Sequence, residues 1–193
     1  VSKDGGISFS KMFNGPIMDR SIQNPIWAAQ PSVLREEDGT WRMWYISGQK
    51  CEMIHGYPEP YYRCQSATSK DGIHWEISDI PSLDFDDFLH AVGRPSVFKE
   101  EGIYKMFYSF RHSRDYRTDR NQSYRLGYAE SVDGTNWERK DHLVGIAKSE
   151  NPDDFDYNMI DYAYVYQHKG TKYLLYNGNG FGAAGFGYAV WED

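Results

Sequence analysis

Glu59 is the acidic residue whose sequence context best suits acid–base chemistry. It lies between two prolines in the segment "YPEPYY", so its backbone is stiffly held. A carboxyl group fixed near aromatic rings can have the raised pKa that a general acid needs at neutral pH. A glutamate in a solvated loop would instead have an ordinary surface role, and the segment alone does not separate the two interpretations.

Gln30, Arg94 and Tyr162 occupy equivalent places at the start of three similar segments. The segments are "QPSVLREEDGTWRMWYISG", "RPSVFKEEGIYKMFYSF" and a weaker copy, "YAYVYQHKGTKYLLYNG". If each segment begins the innermost strand of a unit, the three side chains converge. Arg94 can then clamp a carboxylate or phosphate with paired hydrogen bonds, or it can form an ion pair with a neighbouring unit.

A basic stretch, "RHSRDYRTDR", stands out in a chain whose net charge is -7. Its arginines can attract an anionic substrate, or the aspartates among them can neutralise them and leave a self-paired exposed loop. The charged residues are Arg111, Arg114, Arg117, Arg120, Asp115 and Asp119.

Composition and spacing argue against several classes of function. The negative charge argues against nucleic acid or an anionic membrane as the main partner, and no apolar run approaches the roughly 20 residues of a membrane span. No His, Cys and carboxylate spacing resembles a zinc or EF-hand site, and there is no P-loop or dinucleotide fingerprint, so we assign no metal and no cofactor. Cys51 and Cys64 do not make a disulfide framework; we expect two free thiols, with a pair between them as the alternative if the protein is exported.

The elements that must position these residues are predicted to be short β-strands. "YKMFYS" alternates like a half-buried strand, and Gly, Pro, Asn and Asp recur about every ten residues. Each unit reads as four antiparallel strands, the third of the "YRLGYAES" type. The pattern predicts an all-β chain of propeller blades, with a stacked two-sheet sandwich as the alternative.

An Asp-Gly turn recurs in "SKDGGISF", "SKDGIHW" and "SVDGTNW". Glycine supplies the positive φ that a tight hairpin needs, and the aspartate accepts hydrogen bonds from the N–H groups that follow it. We therefore expect structural roles for Asp4, Asp71 and Asp133, between the third and outer strands of successive units.

Loop lengths indicate which face carries a site. Connections between the first and second strands and between the third and fourth are short, whereas the other connections are long and lie on the opposite face. Unusual polar side chains collect on this long-loop face, among them Asp19, His90, Arg111, Asn177 and Asn179.

Nearly the whole chain resembles the five-bladed propellers of the arabinanase, invertase and levansucrase group of glycoside hydrolases, and within that superfamily uncharacterised bacterial glycosidase-like proteins. The likeness is carried by "NGPIMDRS", "WRMWYISG", "PEPYY", "YRLGYAESVDGTNW" and "YNGNGFGAAGFGYAVWE". It implies a funnel at the channel mouth where carboxylates flank a glycosidic bond. On this basis Glu59 and Asp161 are the acid–base candidates. The residues expected to contact the sugar are Gln30, Arg94, Tyr162, Arg111, Asn177, Asn179, Asp19 and His90.

The strands predict a single domain of residues 1–193 with about three blades. An outer strand is expected in 1–18, blades in 26–82 and 92–144, and an incomplete blade in 160–193. By the resemblance these are the last three blades of five, and the expected catalytic base lies on a blade outside them. The exposed edges of such an arc predict either part of a longer propeller or a homo-oligomer that completes it.

Two functions remain open from the sequence. The first is a glycoside-hydrolase-like protein that acts on a poly- or oligosaccharide, and the second is a non-catalytic carbohydrate-binding or assembly module of propeller type. Carbohydrate is the expected partner. Two facing carboxylates at glycosidase separation in one pocket would favour the enzyme.

Overall fold

The computed structural model describes residues 1–192, and within them the chain is all-β, as the sequence predicts. Eleven strands and one short 3₁₀ helix at Asp141–Leu143 make up the regular structure of this part of the chain. The strands fall into three antiparallel units that follow chain order and form a partial β-propeller.

Each unit is a run of neighbouring strands. The first unit contains β1 (Trp27–Arg35), β2 (Trp41–Ile54), β3 (Tyr57–Ser69) and β4 (Glu76–Ile77). The second contains β5 (Ala91–Glu100), β6 (Ile103–Arg111), β7 (Arg125–Ser131) and β8 (Glu138–Arg139). The third contains β9 (Asp161–His168), β10 (Thr171–Asn177) and β11 (Phe186–Val190). A parallel pair between Tyr62 and Ala91 joins β3 to β5.

The first strands of successive units lie side by side. The Val97 N–H on β5 donates to Ser32 Oγ on β1 at 3.0 Å, and the Val165 N–H on β9 donates to Ser96 Oγ on β5 at 3.0 Å. The two serines are equivalent in "QPSV" and "RPSV", so the same hydrogen bond ties each inner strand to the next. This is the arrangement that brings the starts of β1, β5 and β9 together.

The core lies between the units, and β6 contributes to both halves of it. Tyr104, Met106 and Tyr108 pack toward the first unit with Trp44, while Phe107 packs toward the third. Because both faces of the second unit are covered, β6 is buried almost continuously. The alternation expected of a half-buried strand is therefore wrong for β6.

The Asp-Gly turns share one set of hydrogen bonds. In each turn a glycine N–H donates to the serine Oγ at 2.8 or 2.9 Å, and the aspartate Oδ1 accepts from two successive N–H groups. At Asp133 the donors are Asn136 and Thr135, and they hold the pKa of this carboxyl well below its usual range. The turn aspartates are thus satisfied locally, which is a structural role.

Two segments differ from the sequence expectation. An outer strand is predicted in residues 1–18, but residues 1–26 contain no strand. No strand of the described chain pairs with this segment. Residues 48–60, predicted to be a long loop, instead continue β2 and β3 as a hairpin. It turns at His55 and Gly56, whose φ angles of 52° and 81° suit the twist of antiparallel strands.

Candidate functional site

Gln30, Arg94 and Tyr162 all have left-handed backbone conformations, with φ of 53°, 55° and 55°. Each is the first of two residues that face a single residue on the neighbouring strand, so β1, β5 and β9 carry a bulge at the same place. Bulges re-aim side chains, and strained non-glycine positions concentrate at binding and catalytic sites. The three residues aligned by sequence therefore also share an unusual backbone geometry.

Arg94 and Tyr162 are in contact across two units. The Arg94 guanidinium carbon lies 5.8 Å from the centre of the Tyr162 ring, and the Tyr162 N–H donates to Ser109 Oγ at 3.1 Å. Within residues 1–192 Arg94 has no carboxylate within 4.0 Å, and the buried Oε1 of Gln30 has no hydrogen-bond partner. Both side chains thus keep polar capacity that the described chain does not use.

Asp161 lies immediately before Tyr162 and is completely buried. Neither of its carboxylate oxygens has a hydrogen-bond partner in the described chain. Burial raises the pKa of Asp161 to about 7, and the positive charge of Arg94 opposes that shift. The carboxyl group is therefore protonated in a substantial fraction of molecules at neutral pH, which is the state that a proton donor requires.

Glu59 lies within β3 and not in a loop, and its side chain is only 4% exposed. Arg117 Nε donates to its Oε1 at 3.0 Å, and Arg111 Nη2 lies 3.7 Å from its Oε2. The proline-flanked carboxylate is therefore held between two guanidinium groups. This placement differs from the solvated loop position that the sequence left open.

Arg111 is buried and surrounded by aromatic rings. Its Nε donates to the Tyr124 hydroxyl at 3.0 Å, its Nη1 to Ser113 Oγ at 3.1 Å, and its Nη2 to the Pro60 carbonyl at 3.3 Å. The guanidinium carbon lies 3.9 Å from the centre of the Tyr116 ring. With these contacts and Glu59, Arg111 is a fixed charge inside the protein and not a mobile clamp for an external anion.

Phe181 connects two groups of residues. The Asp161 group is Asp161, Arg94 and Tyr162, and the Glu59 group is Glu59, Arg111, Arg117, Tyr116 and Tyr124. The Phe181 ring centre lies 5.5 Å from that of Tyr124 and 6.2 Å from that of Tyr162. The Asp161 group and the Glu59 group are therefore linked through aromatic contacts on one side of the molecule. Sequence analysis did not single out Phe181 or Tyr124; the only signal was the glycine-rich "NGNGFGAAG", in which Phe181 has a φ of 60°.

His90 has both ring nitrogens engaged. Nε2 lies 3.0 Å from the Asp87 carbonyl and donates to it, while Nδ1 accepts the Ser113 N–H at 3.1 Å. The ring is stacked on Tyr61 at 4.8 Å between centres and lies 4.3 Å from His112. These bonds assign the neutral Nε2–H form and give His90 a role in holding the start of β5 to the loop after β6.

The asparagines at the end of β10 serve the loop around them. Asn179 Oδ1 accepts the N–H groups of Asn158 and Met159 at 2.7 and 3.2 Å, and its Nδ2 donates to the Asp154 carbonyl at 3.2 Å. Asn177 Nδ2 donates to the Phe181 carbonyl at 3.4 Å. Asn179 thus shapes the site more than it presents an amide to a ligand.

Asp19 lies apart from the other predicted residues. It is exposed in the strand-free segment before β1, and its Oδ1 accepts the N–H of the adjacent Arg20 at 2.7 Å. The structure shows no contact from Asp19 to the Asp161 or Glu59 groups within residues 1–192.

A cavity of about 360 Å³ opens beside these groups. Its wall includes Tyr116, Arg117, Ser123, Asn179 and Phe181. Arginine, hydroxyl and amide groups next to aromatic rings are the mixture that binds a polar ligand with apolar faces, such as a sugar ring.

No group of three or more His, Cys, Asp or Glu side chains in residues 1–192 is placed to hold a metal ion. None of the helices in this range is long and apolar enough to cross a membrane. Cys51 is exposed and Cys64 is buried, and both are free.

No protein-family model matches the sequence. Two curated proteins of Mycobacterium tuberculosis are similar to it, Uncharacterized protein MT1551 (strain CDC 1551 / Oshkosh) and Uncharacterized protein Rv1502 (strain ATCC 25618 / H37Rv). Each is 32% identical over 191 residues, which are 98% of this chain and 59% of the relative. The chain therefore spans less than two thirds of the length of these relatives.

Similar solved structures include glycoside hydrolases. One described as "Glycoside hydrolase" has a TM-score of 0.66 at 22% identity, over 92% of this chain and 50% of that one. A complex of BT0996 and RGII has a TM-score of 0.67 at 22% identity, with the same coverage. Zg3597, a family 117 glycoside hydrolase of Zobellia galactanivorans, has a TM-score of 0.69 at 15% identity, over 89% and 54%. At these identities the comparison shows the fold, which is that of propeller-type glycoside hydrolases.

Proposed function

We propose that this chain contributes the carbohydrate site of a glycoside-hydrolase-like propeller, on the face that carries the long loops. The observation that carries the proposal is Asp161, a buried carboxyl group with no hydrogen-bond partner in the described chain and a raised pKa. It lies at the bulge beside Tyr162 and within the electrostatic influence of Arg94. Perturbed carboxyl groups of this kind concentrate at functional sites.

In the enzymatic form of the proposal, Asp161 is the general acid. Its protonated form would donate to the oxygen of the leaving sugar, while Gln30, Arg94 and Tyr162 orient the substrate. Glu59, as the second carboxylate, would take a proton from the water whose oxygen bonds to the anomeric carbon as the leaving sugar departs. Asp161 is completely buried, so this mechanism requires neighbouring side chains to move before a sugar can reach its carboxyl group.

A binding module is the second candidate, and the state of Glu59 favours it. Its ion pairs with Arg111 and Arg117 tie this carboxylate to the protein, and of its two oxygens only Oε1 accepts a hydrogen bond in the described chain. If Glu59 is structural, Asp161 has no facing carboxylate partner among the predicted residues, and a cavity lined by Tyr116 and Phe181 would serve for binding alone.

Screening for hydrolysis and for binding with the same glycans tests both forms. Aryl glycosides and plant and bacterial glycans are assayed for cleavage and by calorimetry, with wild type, Asp161→Asn and Asp153→Asn, an exposed carboxylate of the loop before β9 that serves as control. Cleavage abolished only in Asp161→Asn would support the enzyme. Saturable binding without cleavage would support the module, and the absence of both would overturn the proposal.

We also propose the finer assignment to the arabinanase, invertase and levansucrase group, with the single domain 1–193 corresponding to three of five blades. Two observations support the assignment. The three units follow one another in chain order, and the chain aligns with about half the length of a solved glycoside hydrolase. A structure of a longer relative tests this assignment: five units around one channel are expected, and any other number would contradict it.

We propose that the exposed face of the third unit, the face of the β9–β10–β11 sheet away from the second unit, packs against a further sheet. Large side chains are exposed there, including Tyr164, Phe186, Tyr188 and Val190. Exposed apolar side chains on one sheet face mark an association surface, and a homo-oligomer of this chain that covers this face is the alternative to the longer propeller proposed above. Light scattering coupled to size exclusion tests it, and a well-behaved monomer would count against the proposal.

A further inference from the structure

A second cavity, of about 330 Å³, adjoins the cavity of the candidate carbohydrate site, and Arg120 lines both. The second cavity is formed between the start of β7 and the segment that follows the 3₁₀ helix. Arg125 and Lys148 both line it, together with the apolar side chains of Phe110, Val144 and Ile160. Sequence analysis singled out neither cation.

Neither cation is neutralised by a nearby carboxylate. In residues 1–192 no acidic oxygen lies within 4.0 Å of Arg125 or Lys148. Arg125 Nε is buried without a hydrogen-bond partner in that range, and its guanidinium carbon lies over the Phe110 ring at 5.0 Å from the centre. Lys148 Nζ donates to the backbone carbonyl of Arg120 and makes no other hydrogen bond in the described chain.

The acidic groups around the cavity are mostly engaged elsewhere. Glu150 pairs with Arg120 at 3.1 Å, and Asp141 is held by Arg139 at 3.0 Å and by the Tyr108 hydroxyl. Asp119 acts on both cations only at longer range. The cavity thus retains an excess of positive charge.

Burial is the main cause that lowers the pKa of both cations. Burial lowers the pKa of Lys148 to about 8, with Arg125 and Arg120 lowering it further and Asp119 and Glu150 opposing the shift. Burial also lowers the pKa of Arg125. Two partly buried cations that disfavour each other are stabilised when an anion lies between them.

We propose that Arg125 and Lys148 form a binding site for an oxyanion group. The Nη groups of Arg125 make no hydrogen bond in residues 1–192 and, unlike the buried Nε, are accessible, so they supply directional donors; Lys148 supplies a second charge, and together they match a phosphate or carboxylate group. Phe110, Val144 and Ile160 give the cavity an apolar wall for the rest of the ligand. The two cavities share Arg120, but neither Arg125 nor Lys148 lines the candidate carbohydrate cavity, so the proposed oxyanion site can be tested separately from the carbohydrate function.

Calorimetric titration at low ionic strength and pH 8 tests the site. The probes are inorganic phosphate and glucuronate, which separate a free phosphate from a sugar carboxylate as the source of the oxyanion. Saturable binding of either probe is expected, and it should weaken at least tenfold in both Arg125→Gln and Lys148→Met. Lys70→Met, in the distant Asp71 turn, is the control and should bind as wild type does.

Proton uptake on binding distinguishes a direct contact of Lys148 with the anion from a purely structural role of this side chain. An anion raises the pKa of Lys148 from about 8, so binding should take up protons at pH 8, seen as a dependence of the heat on buffer ionisation enthalpy. This uptake should vanish in Lys148→Met. Binding of neither probe, or equal affinity in wild type and a folded Lys148→Met, would overturn the proposal.

Discussion

The Arg94 guanidinium lies over the ring of Tyr162, 5.8 Å from its centre, and this contact joins the bulged inner strands of two neighbouring units. Both residues have left-handed φ angles at equivalent positions. The contact places a positive charge near the buried carboxyl of Asp161, where burial raises the pKa and Arg94 limits the rise. Arg94 is therefore placed to tune the group that we propose as proton donor.

Replacing Arg94 should shift the titration of Asp161. In Arg94→Gln the opposing charge is lost, so the pKa of Asp161 should rise further above its present value of about 7. Carbon-13 NMR titration of the aspartate carboxyl groups measures this shift. Arg35→Gln removes a cation that lies over Trp41 instead and should leave the Asp161 titration unchanged. A pKa that falls in Arg94→Gln would contradict the arrangement described.

Asp161 should make the protein less stable as the pH rises. Its pKa is about 7 in the folded chain and 3.8 as a free group, so between these values the folded state holds a proton that the unfolded state has lost. The free energy of unfolding should therefore fall from about pH 4 to about pH 7, by up to about 4 kcal/mol. Asp161→Asn should flatten this slope, measured by urea unfolding across the pH range.

Asp133 provides a control of opposite sign. Its pKa is lowered by the hydrogen bonds from Asn136 and Thr135, so its contribution to stability is fully present above about pH 4. That contribution is lost as the pH falls toward its lowered folded-state pKa. Asp133→Asn should therefore reduce stability at neutral pH and leave the slope between pH 4 and 7 in place. The same slope in wild type and Asp161→Asn would show that Asp161 is not its source.

Local chemistry explains which parts of the fold the sequence predicts. The turn at Asp133 depends on residues within three positions of it, and the equivalence of Gln30, Arg94 and Tyr162 follows from similar strand sequences. The turn and the equivalence of these three residues can therefore be predicted from the sequence without knowledge of how the units pack. The continuous burial of β6 is not, because it depends on units whose packing partners lie far away in sequence.

The prolines around Glu59 show why the long hairpin was missed. Pro58 and Pro60 argue against a strand because they lack an N–H. In the hairpin Pro58 faces Met53 and Pro60 faces Cys51 on the neighbouring strand. Backbone N–H groups two residues apart in a strand point to the same side, so both prolines lack an N–H only on the edge that pairs with no strand. Glu59 then pairs with Arg117, whose position only the tertiary fold determines.

Gly127 allows the close approach of β7 to Tyr108. A Cβ at position 127 would lie 2.3 Å from Tyr108 Cζ, and Tyr108 is fixed because its hydroxyl binds Asp141 and Arg139. Gly127→Ala should lower the free energy of unfolding by about 1–3 kcal/mol through overpacking. Gly15→Ala is the control, since nothing lies within 4 Å of its Cβ position. Equal stability of the two variants by chemical denaturation would refute the close contact.

Glu59 should contribute more to stability than Glu52, which faces it directly on the neighbouring strand. Glu59→Gln leaves the buried guanidinium of Arg111 without its carboxylate, so the free energy of unfolding should fall by about 3–5 kcal/mol. Glu52→Gln removes an ion pair with Lys50 that is open to solvent, and a loss of about 0–1 kcal/mol is expected. Urea unfolding of both variants measures the difference. Because a carboxylate with this structural role is a poor choice for an acid or base, a large loss in Glu59→Gln favours the binding module, whereas similar small losses in both variants would return Glu59 to the catalytic candidates.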